Sequence, residues 1–533
     1  MKRRIVVVLL VTGLVLSAFI VPTAFSTSDS LQSGPFEVVR MNPDAEQTLK
    51  AQGKSLDYPF PNMNNNGRKF NPSTLDLEPL VSPEGDQPVI AIFVQFTNPP
   101  PGGPSTRIDL SYFDNMLYGK VYDPPEYAPY VGHPTDRTLR NYWEEVSYGK
   151  IFVTTHNMPS TLGWANSGHT YGYYCKADGT HNYGWGLYPQ NAQGLVIDAI
   201  KAVDDQVDFS QYAVNGEVPN LFVVHAGTGA EWSTDPSLIW SHSWDLSSGT
   251  GLDGFTVDGV KINKYAMMPE VGGDLTGYTG RISGSFPPTC GVYAHEFAHV
   301  LGLPDQYDYG YESEGTGMYS LMAAGSWGLY PYYAIFSGNS PAQIDAWSKI
   351  RLGLVTPKQI EATTVLPPVE TDPVVYRVDV PNSGGKEYFL LENRQQIGFD
   401  QSLKVYSVHG LAVYHVDETV FVRNYWQPNE AENWKEYRSE GWQKADNGET
   451  HYAISLIQAD DQWHLEHGTS VADSGDLYPG KFFVTSLSSV TKPNTSAYYF
   501  WKETIPKFGY SGVTIANIQE TSGVITAELL MTK

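Results

Sequence analysis

Five consecutive residues near the middle of the chain have the types and spacing for metal-dependent chemistry: His295, Glu296, Phe297, Ala298 and His299. On an α-helix the two histidines lie one turn apart, about 6 Å in rise, so both imidazoles can reach one zinc ion. Glu296 is the natural general base for a water molecule whose pKa zinc lowers to about 7. The pattern predicts a hydrolytic zinc centre. The alternative is an amphipathic helix whose His and Glu are ordinary surface residues.

A third metal ligand is expected soon after this helix. Gly302 favours a helix end, because glycine tolerates the left-handed conformation that follows a helix C-terminus. The chain can then double back, so that Asp305, six residues after His299, brings a carboxylate to the same ion. The predicted ligands are the two histidines and Asp305, with Glu312 or Glu314 as the alternative carboxylate candidates.

Two segments around these residues resemble a known family. His295 to Asp308, HEFAHVLGLPDQYD, resembles the zinc signature of the immune inhibitor A family of secreted metallopeptidases, and Ser320 to Trp327, SLMAAGSW, resembles its Met-turn. The resemblance implies a metzincin-like α/β (α+β) zinc peptidase domain, protein or peptide substrates and a zymogen. It also implies that Met322 forms an apolar floor beneath the zinc. Related enzymes often use a tyrosine near the Met-turn to stabilise the oxyanion. The candidates here are Tyr319, Tyr330, Tyr332 and Tyr333, and the sequence does not choose among them.

The N-terminus predicts export. A basic start at Lys2 to Arg4 precedes the apolar run Ile5 to Ile20, and the small residues Ala24 and Ser26 offer a cleavage point. The run is short for a membrane-spanning helix of about 20 residues. Residues 1–26 are therefore predicted to be a signal peptide of a secreted protein that meets a membrane only through this segment. The alternative is an uncleaved membrane anchor.

Changes in composition divide the remaining chain into three parts. Residues 27–86 are polar and Asn-rich, which is typical of a pro-segment or linker. Residues 87–356 alternate strand-like and helix-like patterns, which predicts the zinc metallopeptidase catalytic domain. Residues 357–533 carry short alternating runs between turn clusters and predict a β-rich, β-sandwich-like C-terminal domain.

Charge and cysteine content restrict the partners and cofactors. With 34 basic and 58 acidic residues, the net charge of -24 predicts that nucleic acid is not a partner. In an oxidising compartment the only two cysteines, Cys175 and Cys290, predict one disulfide, with two buried thiols as the alternative. Acidic groups at Asp305 to Asp308, Asp460 to Asp461 and Asp473 to Asp476 are candidate calcium ligands, or else solvated acidic turns.

Together these features predict an exported zinc-dependent endopeptidase that hydrolyses peptide bonds of proteins by metal-activated water. The alternative from another class is a secreted binding or adhesion protein in which the peptidase-like domain is a catalytically dead scaffold. The intact set of two His, one Glu and one Asp argues against that alternative.

Overall fold

The structure is a computed structural model that describes part of the 533-residue chain. The described residues are 37–43, 46, 51, 70–71, 76–77, 80, 82–100, 108–121, 136–233, 235–272, 287–330, 337–359, 363–423, 427–430, 452–498 and 509–531. The predicted signal peptide, residues 1–26, lies outside them, as do Tyr332, Tyr333 and most of the predicted pro-segment. No helix in the described ranges is long and apolar enough to cross a membrane.

The described residues form a mixed α/β structure with several sheets and few helices, which confirms the predicted class; its metzincin-like detail stays a prediction. The α-helices are α1 Leu110–Phe113, α2 Leu139–Val146, α3 Pro159–Leu162, α4 Tyr171–Tyr174, α5 Ala192–Val203, α6 Cys290–Val300, α7 Ala346–Arg351 and α8 Glu418–Arg423. The 3-10 or π-helical segments are Asp114–Tyr118, Asn182–Gly184, Phe209–Tyr212, Ala230–Trp232, Gly317–Tyr319, Ala324–Trp327 and Gly398–Tyr406.

The strands follow in chain order. They are β1 Glu37–Val38, β2 Phe70–Asn71, β3 Asp76–Leu77, β4 Gly85–Pro88, β5 Ile90–Gln95, β6 Ile151–Thr154, β7 Trp164–Asn166, β8 Glu217–Val218, β9 Leu221–Thr228, β10 His242–Asp245, β11 Phe255–Val257, β12 Val260–Ile262, β13 Lys264–Val271, β14 Lys358–Gln359, β15 Thr363–Leu366, β16 Tyr376–Asp379, β17 Glu387–Arg394, β18 Gly410–Asp417, β19 Ile454–Leu456, β20 Leu487–Ser488, β21 Val513–Thr521 and β22 Val524–Met531.

A six-stranded sheet in the order β1-β10-β13-β9-β5-β7 carries the first half of the described chain. Strands β13, β9, β5 and β7 are parallel, whereas β10 runs antiparallel to β13. Every residue of β9 is buried, and its apolar run suits a parallel strand that is covered on both faces. Helix α6, which carries the predicted metal motif, packs against β13 and β10.

Helix α6 ends where its sequence predicts. All its residues are buried, and the helix terminates at Val300. Gly302 follows with a φ of 102°, in the left-handed region that favours glycine, and its N–H donates to His299 O at 2.8 Å. The Leu303 N–H then donates to Ala298 O at 3.0 Å, so the chain reverses direction at once. This reversal returns the following residues towards the helix.

The C-terminal part contains two sheets that share one apolar core. The five-stranded sheet has the order β14-β16-β17-β18-β19, and the four-stranded sheet has the order β15-β22-β21-β20. Phe389 and Leu391 of β17 belong to the same buried cluster as Ile515 of β21 and Ile525 of β22. Because successive side chains of a strand point to opposite faces, this cluster covers one face of the five-stranded sheet.

The other face of the five-stranded sheet joins the main core of the molecule. Tyr388 and Leu390 of β17 lie in the same buried cluster as Phe297 of α6. Every residue of β17 and of β18 is buried, as expected for strands covered on both sides. Apolar packing therefore continues across the predicted boundary between residues 356 and 357, and the domain limits themselves stay predictions.

The disulfide prediction is wrong, because both cysteines are free and buried. Cys175 Sγ lies 3.8 Å from Pro236 O, whereas Cys290 Sγ lies 3.9 Å from Gly338 O. Export predicts only an oxidising environment, and a disulfide also needs two Cα atoms within about 7 Å. Each cysteine acts here as a small core residue at the end of a different helix.

Candidate metal centre

Three predicted ligands converge at the end of helix α6. The Nε2 atoms of His295 and His299 lie 2.9 Å apart. Asp305 Oδ1 lies 3.1 Å from the Nε2 atom of His295 and 3.3 Å from that of His299. All three side chains are fully buried. The chain reversal at the glycine after the helix therefore brings the carboxylate to the two imidazoles.

The backbone fixes which nitrogen of each imidazole faces the centre. His295 Nδ1 lies 3.0 Å from Leu321 O, and His299 Nδ1 lies 2.8 Å from Leu303 O. Because a carbonyl oxygen only accepts, we assign the proton to each Nδ1, which leaves a lone pair on each Nε2. Burial lowers the pKa of His295 and so favours its neutral form.

These donors suit a zinc ion. Two nitrogen lone pairs and a carboxylate oxygen face one another across 2.9 to 3.3 Å, an arrangement that a cation among them would stabilise. Zinc binds imidazole nitrogen and carboxylate oxygen at about 2.0 to 2.2 Å. Histidines that bind zinc characteristically donate a hydrogen bond from their other ring N–H to a carbonyl or carboxylate. His295, His299 and Asp305 would hold the ion.

Glu296 lies on the same helix and is completely buried. Burial is the main cause of the raised pKa of Tyr307, and the charges of Asp305 and Glu296 add to it. The charge of Glu296 therefore acts on the loop that carries the third predicted ligand. Glu296 also directly follows the first predicted ligand, His295, in the sequence.

Met322 lies in a buried turn that connects two parts of the centre. Its neighbour Leu321 provides the carbonyl that holds His295. The Met322 carbonyl accepts from the Gln306 N–H at 2.8 Å, and the Met322 N–H donates to Ser320 Oγ at 3.1 Å. The turn thus contacts the first histidine and the residue immediately after Asp305.

Tyr309 was not among the predicted site residues. Its hydroxyl donates to Asp305 Oδ2 at 2.5 Å, and the other oxygen, Oδ1, faces the histidines. Its ring stacks on Tyr307 with a centroid separation of 5.0 Å. Tyr309 therefore orients the carboxylate, in the way that outer hydrogen bonds orient metal ligands. A hydroxyl four residues after a candidate ligand is the sequence signal that could have identified it.

The other candidate residues have different surroundings. Tyr319 Oη donates to Asp476 Oδ2 at 2.7 Å, and the ring of Tyr330 lies 5.5 Å from the Arg137 guanidinium. Glu312 is exposed, whereas Glu314 is buried in an ion pair with Arg40. The three donors at this centre, within the described part of the chain, are the two histidines and Asp305.

Residues from the predicted pro-segment pack beside the centre. Strand β1 pairs antiparallel with β10 and forms one edge of the six-stranded sheet, and Val38 lies opposite His242. The Tyr307 hydroxyl donates to Val38 O at 2.5 Å, and Trp327 Nε1 donates to Arg40 O at 2.8 Å. The segment therefore lies between the loop after the third ligand, the end of the Met322 turn and the sheet edge.

A buried arginine anchors this segment. The Arg40 guanidinium pairs with Glu46 at 2.7 Å and with Glu314, and its carbon lies 5.4 Å from the centre of the Tyr311 ring. The Met41 N–H donates to Tyr311 Oη at 3.0 Å. Because a buried charge requires a partner, these contacts link the N-terminal segment to the loop between Asp305 and the Met322 turn.

A buried set of two His and one Asp beside a Glu on the same helix, carried by a mixed sheet, is an arrangement that suits metal-dependent hydrolysis. Comparison with known proteins gives the family. The profile described as "Immune inhibitor A peptidase M6, catalytic domain" matches residues 103–354. This match supports the immune inhibitor A-like family that the motifs predicted, and with it a metallopeptidase.

Individual relatives agree with the family match. The chain is 34% identical over 160 residues to Immune inhibitor A of Bacillus thuringiensis subsp. alesti, which covers 26% of this chain and 22% of the relative. It is 27% identical over 213 residues to the pre-pro-metalloprotease PrtV of Vibrio cholerae serotype O1, which covers 35% and 21%. The matched segments span about a fifth of the length of these relatives.

Proposed function

We propose that this protein is a secreted zinc-dependent endopeptidase that hydrolyses peptide bonds of proteins. The observation that carries the proposal is the convergence of His295, His299 and Asp305 within 3.3 Å, with Glu296 on the same helix. A family match to metallopeptidases supports it. Secretion rests on the basic and apolar pattern of residues 1–26.

Each residue of the centre has a defined task in this reaction. Bound zinc supplies Lewis-acid chemistry, which polarises a carbonyl and makes water more acidic. Glu296 accepts the proton of the attacking water and delivers it to the departing amine. His295 and His299 would hold the ion through Nε2, because their Nδ1 atoms are hydrogen-bonded to backbone carbonyls. Tyr309 keeps one oxygen of Asp305 directed at the histidines. Met322 would close the centre from below.

The test is a metal analysis combined with casein digestion. The purified protein should contain zinc and should digest casein after maturation. A chelator should abolish the digestion, and added zinc should restore it. Zinc without digestion, before and after limited proteolysis, would favour the alternative of a catalytically dead binding or adhesion protein. Chelator-insensitive digestion would reject the zinc peptidase.

We also propose that the protein is made as a zymogen. Extended peptides often bind by adding a strand to a sheet edge. Here Val38 of β1 pairs with β10, which would form the edge of the described sheet without β1, and it contacts Tyr307, two residues after Asp305. The segment would thus occupy the position that a substrate strand needs. The name of one relative, pre-pro-metalloprotease, is consistent with a leader and a pro-segment.

Purification of the form that starts at Thr27 tests the zymogen proposal. Its peptidase activity should be low and should rise after limited proteolysis within residues 27–86. Mass spectrometry must establish that the segment is present before cleavage and absent afterwards. Full activity of the uncut chain would reject the proposal, while leaving the zinc peptidase intact.

A further inference from the structure

A second group of metal-binding side chains lies in the C-terminal part of the chain. Asp460, His464 and Asp473 each offer one ligand atom, and these atoms all lie within 4.8 Å of one another. His464 Nδ1 lies 2.5 Å from Asp473 Oδ2. All three residues are partly buried, and about a third of the His464 and Asp473 side chains is exposed. An ion from solvent can therefore reach the group.

The buried carboxylate of Asp476 lies beside this group, and one of its two oxygens lacks a hydrogen-bond partner among the described residues. Asp476 is 1% exposed, and its Oδ2 atom accepts from the Asp473 N–H at 2.8 Å and from the Tyr319 hydroxyl. Its Oδ1 atom is excluded from solvent and has no hydrogen-bond partner within the described residues. The charges of Asp473 and Asp460 both act on Asp476. Burial is the main cause that raises the pKa of Asp476 to about 7, and these charges add to it, so a nearby cation would stabilise the ionised carboxylate.

The backbone approaches the group closely enough to leave no room for another side chain. A Cβ atom on Gly475 would overlap Asp460 Oδ2, so a glycine is required where the chain passes that carboxylate. The Gly475 N–H donates to Asp473 Oδ1 at 2.7 Å, and Gln462 Nε2 donates to Asp460 Oδ2 at 2.8 Å. Two carboxylates are thus held in fixed orientations around His464.

The loop that contains this group packs against the catalytic part. The Glu314 N–H donates to Leu465 O at 2.7 Å, and the Met318 N–H donates to Val471 O at 2.9 Å. Tyr319 joins the same contact through its hydrogen bond to Asp476. These contacts hold the segment between the third zinc ligand and the Met322 turn.

We propose that Asp460, His464 and Asp473 form a second, structural metal site for a divalent transition ion such as zinc, with Asp476 as a buried counter-charge. The imidazole in the set favours zinc over calcium, which prefers oxygen ligands alone. The ion would cross-link the loop of residues 460–476 and so stabilise its contact with residues 314–319. This site is separate from the proposed catalytic centre.

The test measures bound zinc in the full chain carrying Glu296→Gln, which retains the proposed catalytic ligands and cannot digest itself. After equilibration with zinc and removal of free ion, this protein should hold two zinc ions per chain. His464→Gln and Asp473→Asn, each added to it, should lower the content to one and lower the Tm. Asp461→Asn is the matched control, because its carboxylate accepts from Trp463 Nε1 and is not among the three ligands.

Four outcomes would overturn the second site. The first is one zinc ion per chain in the protein that carries Glu296→Gln alone. The second is two zinc ions per chain in the variants that also carry His464→Gln or Asp473→Asn. A bound calcium ion that is indifferent to His464→Gln would reject the transition-metal assignment. Equal loss from Asp461→Asn would show non-specific binding. Asp305→Ala, measured in parallel, should lose the catalytic ion and keep the second one, so failure of one site is distinguishable from failure of the other.

Discussion

Arg40 and Glu314 form an ion pair that joins the N-terminal segment to the loop after the third metal ligand, with side-chain exposures of only 1% and 5%. Removal of one partner from such a buried pair typically costs about 3 to 5 kcal/mol, because the other charge stays buried and uncompensated. The departure of the segment on maturation would therefore require the Glu314 loop to rearrange or to admit water. A substitution in this pair should therefore weaken the binding of the proposed inhibitory segment.

We expect Arg40→Met to release the N-terminal segment from the sheet edge. The uncut variant should show measurable peptidase activity, and proteases should cut residues 27–86 faster, by about 100-fold for a loss of about 3 kcal/mol. Arg140→Met is the control, because Arg140 pairs with Glu144 at 2.8 Å in a more exposed position. Equal latency and equal cleavage rates in both variants would contradict the anchoring role.

We expect Glu296→Gln to abolish peptide hydrolysis and to leave the catalytic zinc bound. The amide cannot accept a proton from water, whereas none of the three metal donors is changed. Zinc content and casein digestion, measured on the same preparation, test this. Retention of more than a few per cent of the wild-type turnover would assign the base to another residue.

We expect Asp305→Ala to lower zinc occupancy and activity together, because it removes one of three protein donors. Tyr309→Phe should weaken zinc binding by about 10 to 100-fold, since the hydroxyl orients the Asp305 carboxylate. A competition titration with a chelator measures both changes. Stoichiometric, tightly bound zinc in Asp305→Ala would move the third-ligand role elsewhere, and unchanged affinity in Tyr309→Phe would remove the orienting role.

We expect reducing agents to leave the thermal stability unchanged, because Cys175 and Cys290 are free. Burial raises the pKa of Cys290 to about 12 and that of Cys175 further still, so reactive thiolate is scarce at neutral pH. Alkylating reagents should modify both thiols after unfolding and neither before. A drop in Tm on reduction would contradict this expectation and support a disulfide. Failure of both cysteines to react with the alkylating reagent in the unfolded, unreduced chain would do the same.

The local sequence carried enough information to predict that His295, His299 and Asp305 lie together. The spacing of His295 and His299 follows from the helical repeat, and Gly302 marks the reversal that returns Asp305 to them. All these contacts form within one short segment. Composition and turn spacing likewise predicted the α/β and β-rich parts.

Contacts between distant segments could not be predicted in the same way. The pairing of Arg40 with Glu314 and the seating of Val38 against β10 depend on the tertiary fold, and neither residue has a distinctive local pattern. The disulfide prediction was wrong for the same reason, because the pairing of Cys175 and Cys290 depends on a distance that only the tertiary fold determines. Composition gives only the redox environment.

The five-stranded sheet is buried on one side against the four-stranded sheet and on the other in the main core, where β17 contacts helix α7, so the two halves of the molecule depend on each other. A gene truncated after residue 356 would remove Tyr388 and Leu390 from the main core and leave apolar side chains of that core uncovered. Such a fragment should aggregate when it is expressed alone. A fusion of the N-terminal half to a different C-terminal domain should fold only if that domain provides an equivalent apolar surface.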